Sequence, residues 1–190
     1  MSAKEIWALL GGIIAAIATA PYIIAILRKK ARPTRVSWLI WSIIDTLVVA
    51  GMVSKHTMNW QMGVATLGAY TIFLLAVKYG EGNWKTIDKV CLVGALIGLV
   101  LWKMFDNATF GIIIGLVMLF LGAIPTFVSA WHDPSKEDRV AWLLFWLSCI
   151  ATMLSISKWT IDIIAQPILF TVIESTMMFI LWIKPRLVKP

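Results

Sequence analysis

Residues Ile6–Leu27 read IWALLGGIIAAIATAPYIIAIL, and this run without a single charge is followed directly by RKKARPTR at residues 28–35. An apolar run of this length matches the roughly 20 residues a helix needs to cross the hydrocarbon core of a bilayer. Lipid offers no partners to an open backbone, so such a run is expected to be helical. Five basic residues crowd the end of the run: Arg28, Lys29, Lys30, Arg32 and Arg35. Ala18-Thr19-Ala20 has the small-residue pattern of a signal-peptide cleavage site, but Pro21 follows at once and should block processing. The segment is therefore expected to be retained as the first membrane span.

The rest of the chain repeats this alternation. Over 190 residues, 60% are hydrophobic and only 14% charged, with a mean hydropathy of +0.86. A soluble domain usually carries about 25% charged residues. The apolar runs predict helices at 5–28, 36–54, 59–79, 89–105, 108–131, 139–157 and 159–184. Breaks fall at Pro33, at Gly80 and Gly82, at Asp106-Asn107, and at Ser135-Lys136-Glu137-Asp138, which has capping-box spacing. The shortest break is at Lys158. The expected fold is an all-α membrane protein crossing the bilayer seven times.

Lys and Arg in the loops set the orientation. Thirteen of the 17 basic residues lie on the side of Arg28–Arg35, Lys78–Lys89, Lys136–Arg139 and Lys184–Lys189. Only Lys4, Lys55, Lys103 and Lys158 lie on the other. By the positive-inside rule the N-terminus is expected outside and the C-terminus in the cytosol, in the plasma membrane. The net charge of +7 is thus a topology signal and points away from nucleic acid. The Arg28–Arg35 run can also hold anionic lipid headgroups. Trp7, Trp60 and Trp159 at outer ends, and Trp38, Trp131, Trp142 and Trp182 at inner ends, read as aromatic belts. Cys91 and Cys149 lie in apolar stretches and read as packed thiols. His56 and His132 are loop residues without ligand partners nearby. Neither a metal site nor a cofactor is expected, and no nucleophile–base spacing or phosphate-binding loop marks an enzyme.

Sliding the chain by 104 residues lays Gly11 on Gly115, Pro21 on Pro125, Arg35-Val36 on Arg139-Val140 and Trp38-Leu39 on Trp142-Leu143. A proline near the inner end of one helix is followed, twice and at the same distance, by R-V-x-W-L opening the next. This predicts a parallel internal repeat. Residues 1–80 form a first triple-helix bundle, 81–107 a loop and linker helix, and 108–190 a second bundle, in a 3+1+3 arrangement. Pro21 and Pro125 are the expected kinks or hinges.

The two segments APYIIAILRKKARPTRVSWLIW (residues 20–41) and IPTFVSAWHDPSKEDRVAWLLFW (residues 124–146) give the chain its family likeness. Their pattern resembles the PQ-loop and SWEET superfamily, whose triple-helix bundles begin with a helix carrying a proline near its cytosolic end. The resemblance implies the 3+1+3 layout and an external N-terminus. The chain departs from the family pattern in its details. Tyr22 follows Pro21 and Thr126 follows Pro125, in place of glutamine. The second and sixth helices carry no proline, and the paired asparagines of SWEET helices three and seven are missing. The likeness implies the fold more than sugar transport.

Two acids stand inside apolar helices, Asp45 in the second and Glu174 in the seventh. An ionised carboxylate at the bilayer centre costs on the order of 2.5–3.5 kcal/mol, and such residues face a bundle interior or wet cavity. Trp38, Trp41 and Asp45 share one helical face, as do Thr66 and Tyr70, and Gln166, Phe170 and Glu174. The repeat lays Tyr70 on Glu174, Thr66 on Phe170 and Asp45 on Cys149. The expected solute site is therefore Asp45, Glu174, Tyr70, Trp41, Thr66, Gln166 and Phe170, around a midplane cavity. The bland readings remain open beside it: Asp45 bonded to Ser42 or Thr46, Glu174 bonded to Tyr70, and the Trp face as plain packing. The leading expectation is a transporter or facilitator of a small-molecule solute, with or without a coupled proton. The alternative is a ligand-binding, sorting or scaffold protein of the same fold that moves nothing. Membrane lipid is the expected surroundings, and a homo-oligomer is left open.

Overall fold

The computed structural model describes residues 1–54, 56–81, 84–104 and 108–187. Seven long helices follow one another: α1 (Ala3–Leu27), α2 (Arg35–Ser54), α3 (Trp60–Tyr79), α4 (Thr86–Met104), α5 (Ala108–His132), α6 (Arg139–Ser155) and α7 (Ile161–Met178). No strand occurs among the described residues. Among the described residues five of the helices are long and apolar enough to cross a membrane: α1, α2, α3, α5, and α7 with its continuation to Leu187. The other two fall short for identifiable reasons. α6 has only 17 residues, and α4 carries Asp88, Lys89 and Lys103 within its 19.

Local chemistry sets the helix ends. Ser2 and Glu5 form a reciprocal capping box at the start of α1, satisfying donors that a first turn leaves open. Asn59 Oδ1 accepts from Met62 N at 2.8 Å to start α3. α6 opens on Asp138, whose Oδ1 accepts from Ala141 N at 2.8 Å. Asp138 is thus the cap, and Glu137 before it is free to turn inward, which the capping-box spacing did not anticipate. α1 ends where Lys29 adopts a left-handed φ of 56° and Ala25 O accepts from both Lys30 N and Ala31 N. Pro21 and Pro125 lie inside helices that continue past them, as does Pro167 in α7. Each removes one ladder donor, leaving the carbonyl four residues earlier without that bond. α7 runs on through a π-turn at Phe179–Ile183 and a last turn at Lys184–Leu187.

Packing follows a regular scheme. α3 lies against α1 and α2, and α7 against α5 and α6, while α1 packs on α6 and α2 on α5. α4 leans mainly on α5. Small residues let the backbones approach, as expected where lipid supplies no hydrophobic drive between helices. A Cβ on Gly11 would stand 2.5 Å from Thr152 Oγ1, and one on Gly12 would stand 2.6 Å from Trp60 Cβ.

The loops at the basic end are tied together. Arg32 N donates to Lys136 O at 2.8 Å and Glu81 N to Pro33 O at 3.2 Å. Glu81 pairs with Lys85 at 3.0 Å and Lys136 at 2.6 Å, and accepts from Ser129 Oγ at 2.6 Å. Burial pushes the Glu81 carboxyl up, but these hydrogen bonds outweigh it and hold the group below its ordinary value. At the opposite end Lys4 Nζ donates to Ile156 O at 2.7 Å and Leu154 O at 3.1 Å. Trp60 and Trp159 there are 65% and 66% exposed. Trp38 and Trp142, read as belt residues of the inner end, are instead buried to 6% and 1% exposure. Both point into the helix assembly, where they meet the site described next.

Candidate functional site

A cavity of about 70 Å³ lies among α1, α2, α3, α6 and α7. That is room for several waters or a ligand of a few heavy atoms. Asp45, midway along α2, and Glu174, in the middle of the long α7 run, both line it. Trp41 and Phe170 line it as well. Trp38, Trp142 and Phe145 add further aromatic wall, and Gln61, Ser148 and Cys149 supply polar groups from α3 and α6.

Neither acid finds a protein partner among the described residues. Asp45 Oδ1 and Glu174 Oε2 are shut off from solvent without a hydrogen bond. The local bonds open to Asp45 are not made, because Ser42 Oγ donates to Leu39 O at 2.9 Å and Thr46 Oγ1 to Ser42 O at 2.8 Å. Gln61 Nε2 reaches across to Ser148 Oγ at 2.9 Å and Cys149 Sγ at 3.2 Å, while its own carbonyl Oε1 is left unpartnered. Trp41 is fixed by its ring N–H, which donates to Leu119 O at 3.0 Å.

Three residues expected at the site lie elsewhere. Tyr70 is 42% exposed, and its hydroxyl meets Thr46 Oγ1 at 3.0 Å, so it does not face Glu174. Thr66 Oγ1 bonds back to Met62 O at 2.8 Å and does not line the cavity. Both follow from α3 being turned so that Gln61, Ala65, Gly68 and Ala69 look inward. Gln166 is buried but sits away from the cavity, with its Oε1 accepting from Asn59 Nδ2 at 3.0 Å. Sequence reasoning set Trp38 on the Asp45 face but missed Gln61, Ser148 and the other aromatic residues, Trp142 and Phe145. One signal for the α6 wall was present, since the 104-residue shift lays Asp45 on Cys149 and Trp41 on Phe145.

Toward the basic end the cavity is bounded by Trp38, Trp142 and Phe145, and Tyr22 packs behind them. Tyr22 is fully buried and packs on Trp38 at 5.5 Å, Trp142 at 6.4 Å and Phe145 at 6.5 Å between ring centroids. Its hydroxyl donates to Glu137 Oε2 at 2.5 Å, and Trp142 Nε1 donates to the same oxygen at 2.8 Å. Glu137 Oε1 is buried without a partner. Burial raises the Glu137 carboxyl to about 7 against the pull of these two donors, with Glu81 and Asp138 adding to the rise. An acid that titrates near neutrality is thereby bonded to the underside of the cavity.

Comparison with known proteins finds no matching family model, no matching curated protein and no matching solved structure.

Proposed function

We propose that this protein is a multi-pass transporter or facilitator of a small solute, with its site in the cavity between the helices. The observation that carries the reading is the pair of carboxyl groups, Asp45 and Glu174, at mid-helix in one cavity and without hydrogen-bond partners among the described residues. Acids at membrane depth are expensive to keep and mark solute or ion pathways. The helix contacts support two triple-helix bundles, α1–α3 and α5–α7, with α4 as linker. α3 meets α1 and α2 as α7 meets α5 and α6, and the α1–α6 contact has its counterpart in α2–α5. On this reading all seven helices cross the plasma membrane, with α4 and α6 sheltered by the others and the basic end in the cytosol. The layout is that of the PQ-loop and SWEET superfamily, which the R-V-x-W-L repeats resemble. The site then lies near the midplane between the two halves.

The tightly bonded floor of Tyr22, Trp142 and Glu137 favours a second reading. In it the protein binds its ligand from one side and passes nothing through. Thermal-shift screening of the detergent-purified protein against sugars, amino acids, vitamins and cations finds ligands under either reading. Uptake of the stabilising compound into proteoliposomes separates them: flux above empty vesicles supports transport, and stabilisation without flux supports the binding protein.

A further inference from the structure

The cavity is chemically one-sided. All but one of its side-chain N–H and O–H donors are engaged within the protein. Trp41 Nε1 bonds to Leu119 O, Trp142 Nε1 to Glu137, Gln61 Nε2 to Ser148 and Cys149, Ser148 Oγ to Phe145 O at 2.7 Å, and Thr19 Oγ1 to Ala15 O at 3.0 Å. Its acceptors are open. Asp45 Oδ1, Gln61 Oε1 and Glu174 Oε2 are buried with no partner among the described residues, against a single unpartnered N–H in the lining, that of Trp38. No Lys, Arg or His lines the cavity, and the ion pairs among the described residues involve neither acid. The remaining wall is largely aromatic, with Trp38, Trp41, Trp142, Phe145 and Phe170 on it.

We infer that the solute is a small organic cation that carries N–H groups and no carboxylate, such as an alkylammonium or a guanidinium. The inference rests on the cavity being a solute site, and it names the class that fits. N–H groups satisfy the open oxygens, whose burial without partners is unfavourable. A bound cation favours the ionised form of a carboxyl beside it, and positive charge is attracted by the faces of aromatic rings. A neutral amide or polyol leaves the acids without countercharge. A zwitterion brings its own carboxylate into a space with no cation and one free N–H to receive it. The volume of about 70 Å³ limits the ligand to a few heavy atoms.

Four probes test this on the full-length protein in detergent, by calorimetric titration at millimolar concentration. They are ethylammonium, guanidinium, urea as the neutral analogue of guanidinium, and β-alanine as a zwitterionic amine. Ethylammonium and guanidinium are expected to bind and to compete with each other, with urea and β-alanine at least ten-fold weaker. Asp45→Asn and Glu174→Gln are each expected to weaken ethylammonium at least ten-fold while the melting temperature without ligand is kept. If a variant does not fold, the selectivity of the wild-type protein among the four probes decides. Binding of urea or β-alanine as tightly as the cations overturns the inference, and so does failure of both cations to bind. Flux into proteoliposomes keeps the two readings apart. Cations that bind but do not move leave the ligand class standing and remove transport. A neutral solute that moves while cations do not bind removes the class and leaves transport standing.

Discussion

Glu137 is held by Tyr22 and Trp142 on one oxygen and by nothing on the other. Its carboxyl is raised from 4.5 to about 7, first by burial. The folded protein therefore holds this proton more tightly than the unfolded chain does, and folding is favoured at low pH. The contribution is whole below about pH 4.5 and is lost as pH rises through about 7, a change of about 3 kcal/mol. The melting temperature is expected to fall between pH 5 and pH 8 in the wild-type protein and to be flatter in Glu137→Gln, which stays neutral throughout. An equal slope in both proteins would remove Glu137 as the titrating group. Such an acid is hard to see in a sequence, because Glu137 stands in a polar loop where a capping or solvated role is the natural reading. Asp45 and Glu174 were legible because a carboxyl inside an apolar run has no bland solvated role. Tyr70 was not: helical periodicity groups Tyr70 with Thr66, but it does not say which face of α3 turns to the lipid.

The helices themselves were largely legible. The expected 5–28, 36–54, 59–79 and 108–131 stand beside Ala3–Leu27, Arg35–Ser54, Trp60–Tyr79 and Ala108–His132. Hydropathy fixes these because a bilayer core demands long uninterrupted runs. The charged ends of α4 and the shortness of α6 were read as spans from the alternation of the whole chain, and by length and composition alone they fall short. What no run of letters reveals is how closely two elements approach. Gly11 and Gly115 are mates in the 104-residue shift, yet their surroundings differ. A Cβ at Gly11 would press on Thr152 Oγ1 at 2.5 Å, while nothing lies within 4 Å of one at Gly115. The Thr152 hydroxyl is itself engaged, donating to Ser148 O at 2.9 Å. Gly11→Ala is expected to destabilise by about 1–3 kcal/mol through overpacking of the α1–α6 seam. Gly115→Ala is expected to be neutral or to stabilise by up to about 1 kcal/mol through helix propensity. Melting temperatures of the two variants check this, and equal losses would mean that α1 and α6 do not meet closely at Gly11.

For the whole molecule, the charge asymmetry and the cavity together support the proposal of a basic cytosolic end and a solute site at mid-depth. A reporter active only in the cytosol is expected to work when fused after Pro190 and to fail when placed in the loop between α2 and α3. Activity at both positions would mean an even number of crossings between them, against the five, α3–α7, that a seven-span chain places there. The loop tie of Arg32, Glu81 and Lys136 joins parts of the chain far apart in sequence, which is why no local pattern announced it. The central claim is that Asp45 and Glu174 serve a solute moving through the cavity. It is tested most directly by uptake of labelled sugars, amino acids, vitamins and organic cations into proteoliposomes holding the wild-type protein, Asp45→Asn or Glu174→Gln. At least one compound is expected to enter wild-type vesicles faster than empty ones, and each substitution is expected to reduce this flux at least ten-fold. Absence of flux from folded wild-type protein, or flux that neither substitution alters, would contradict the claim.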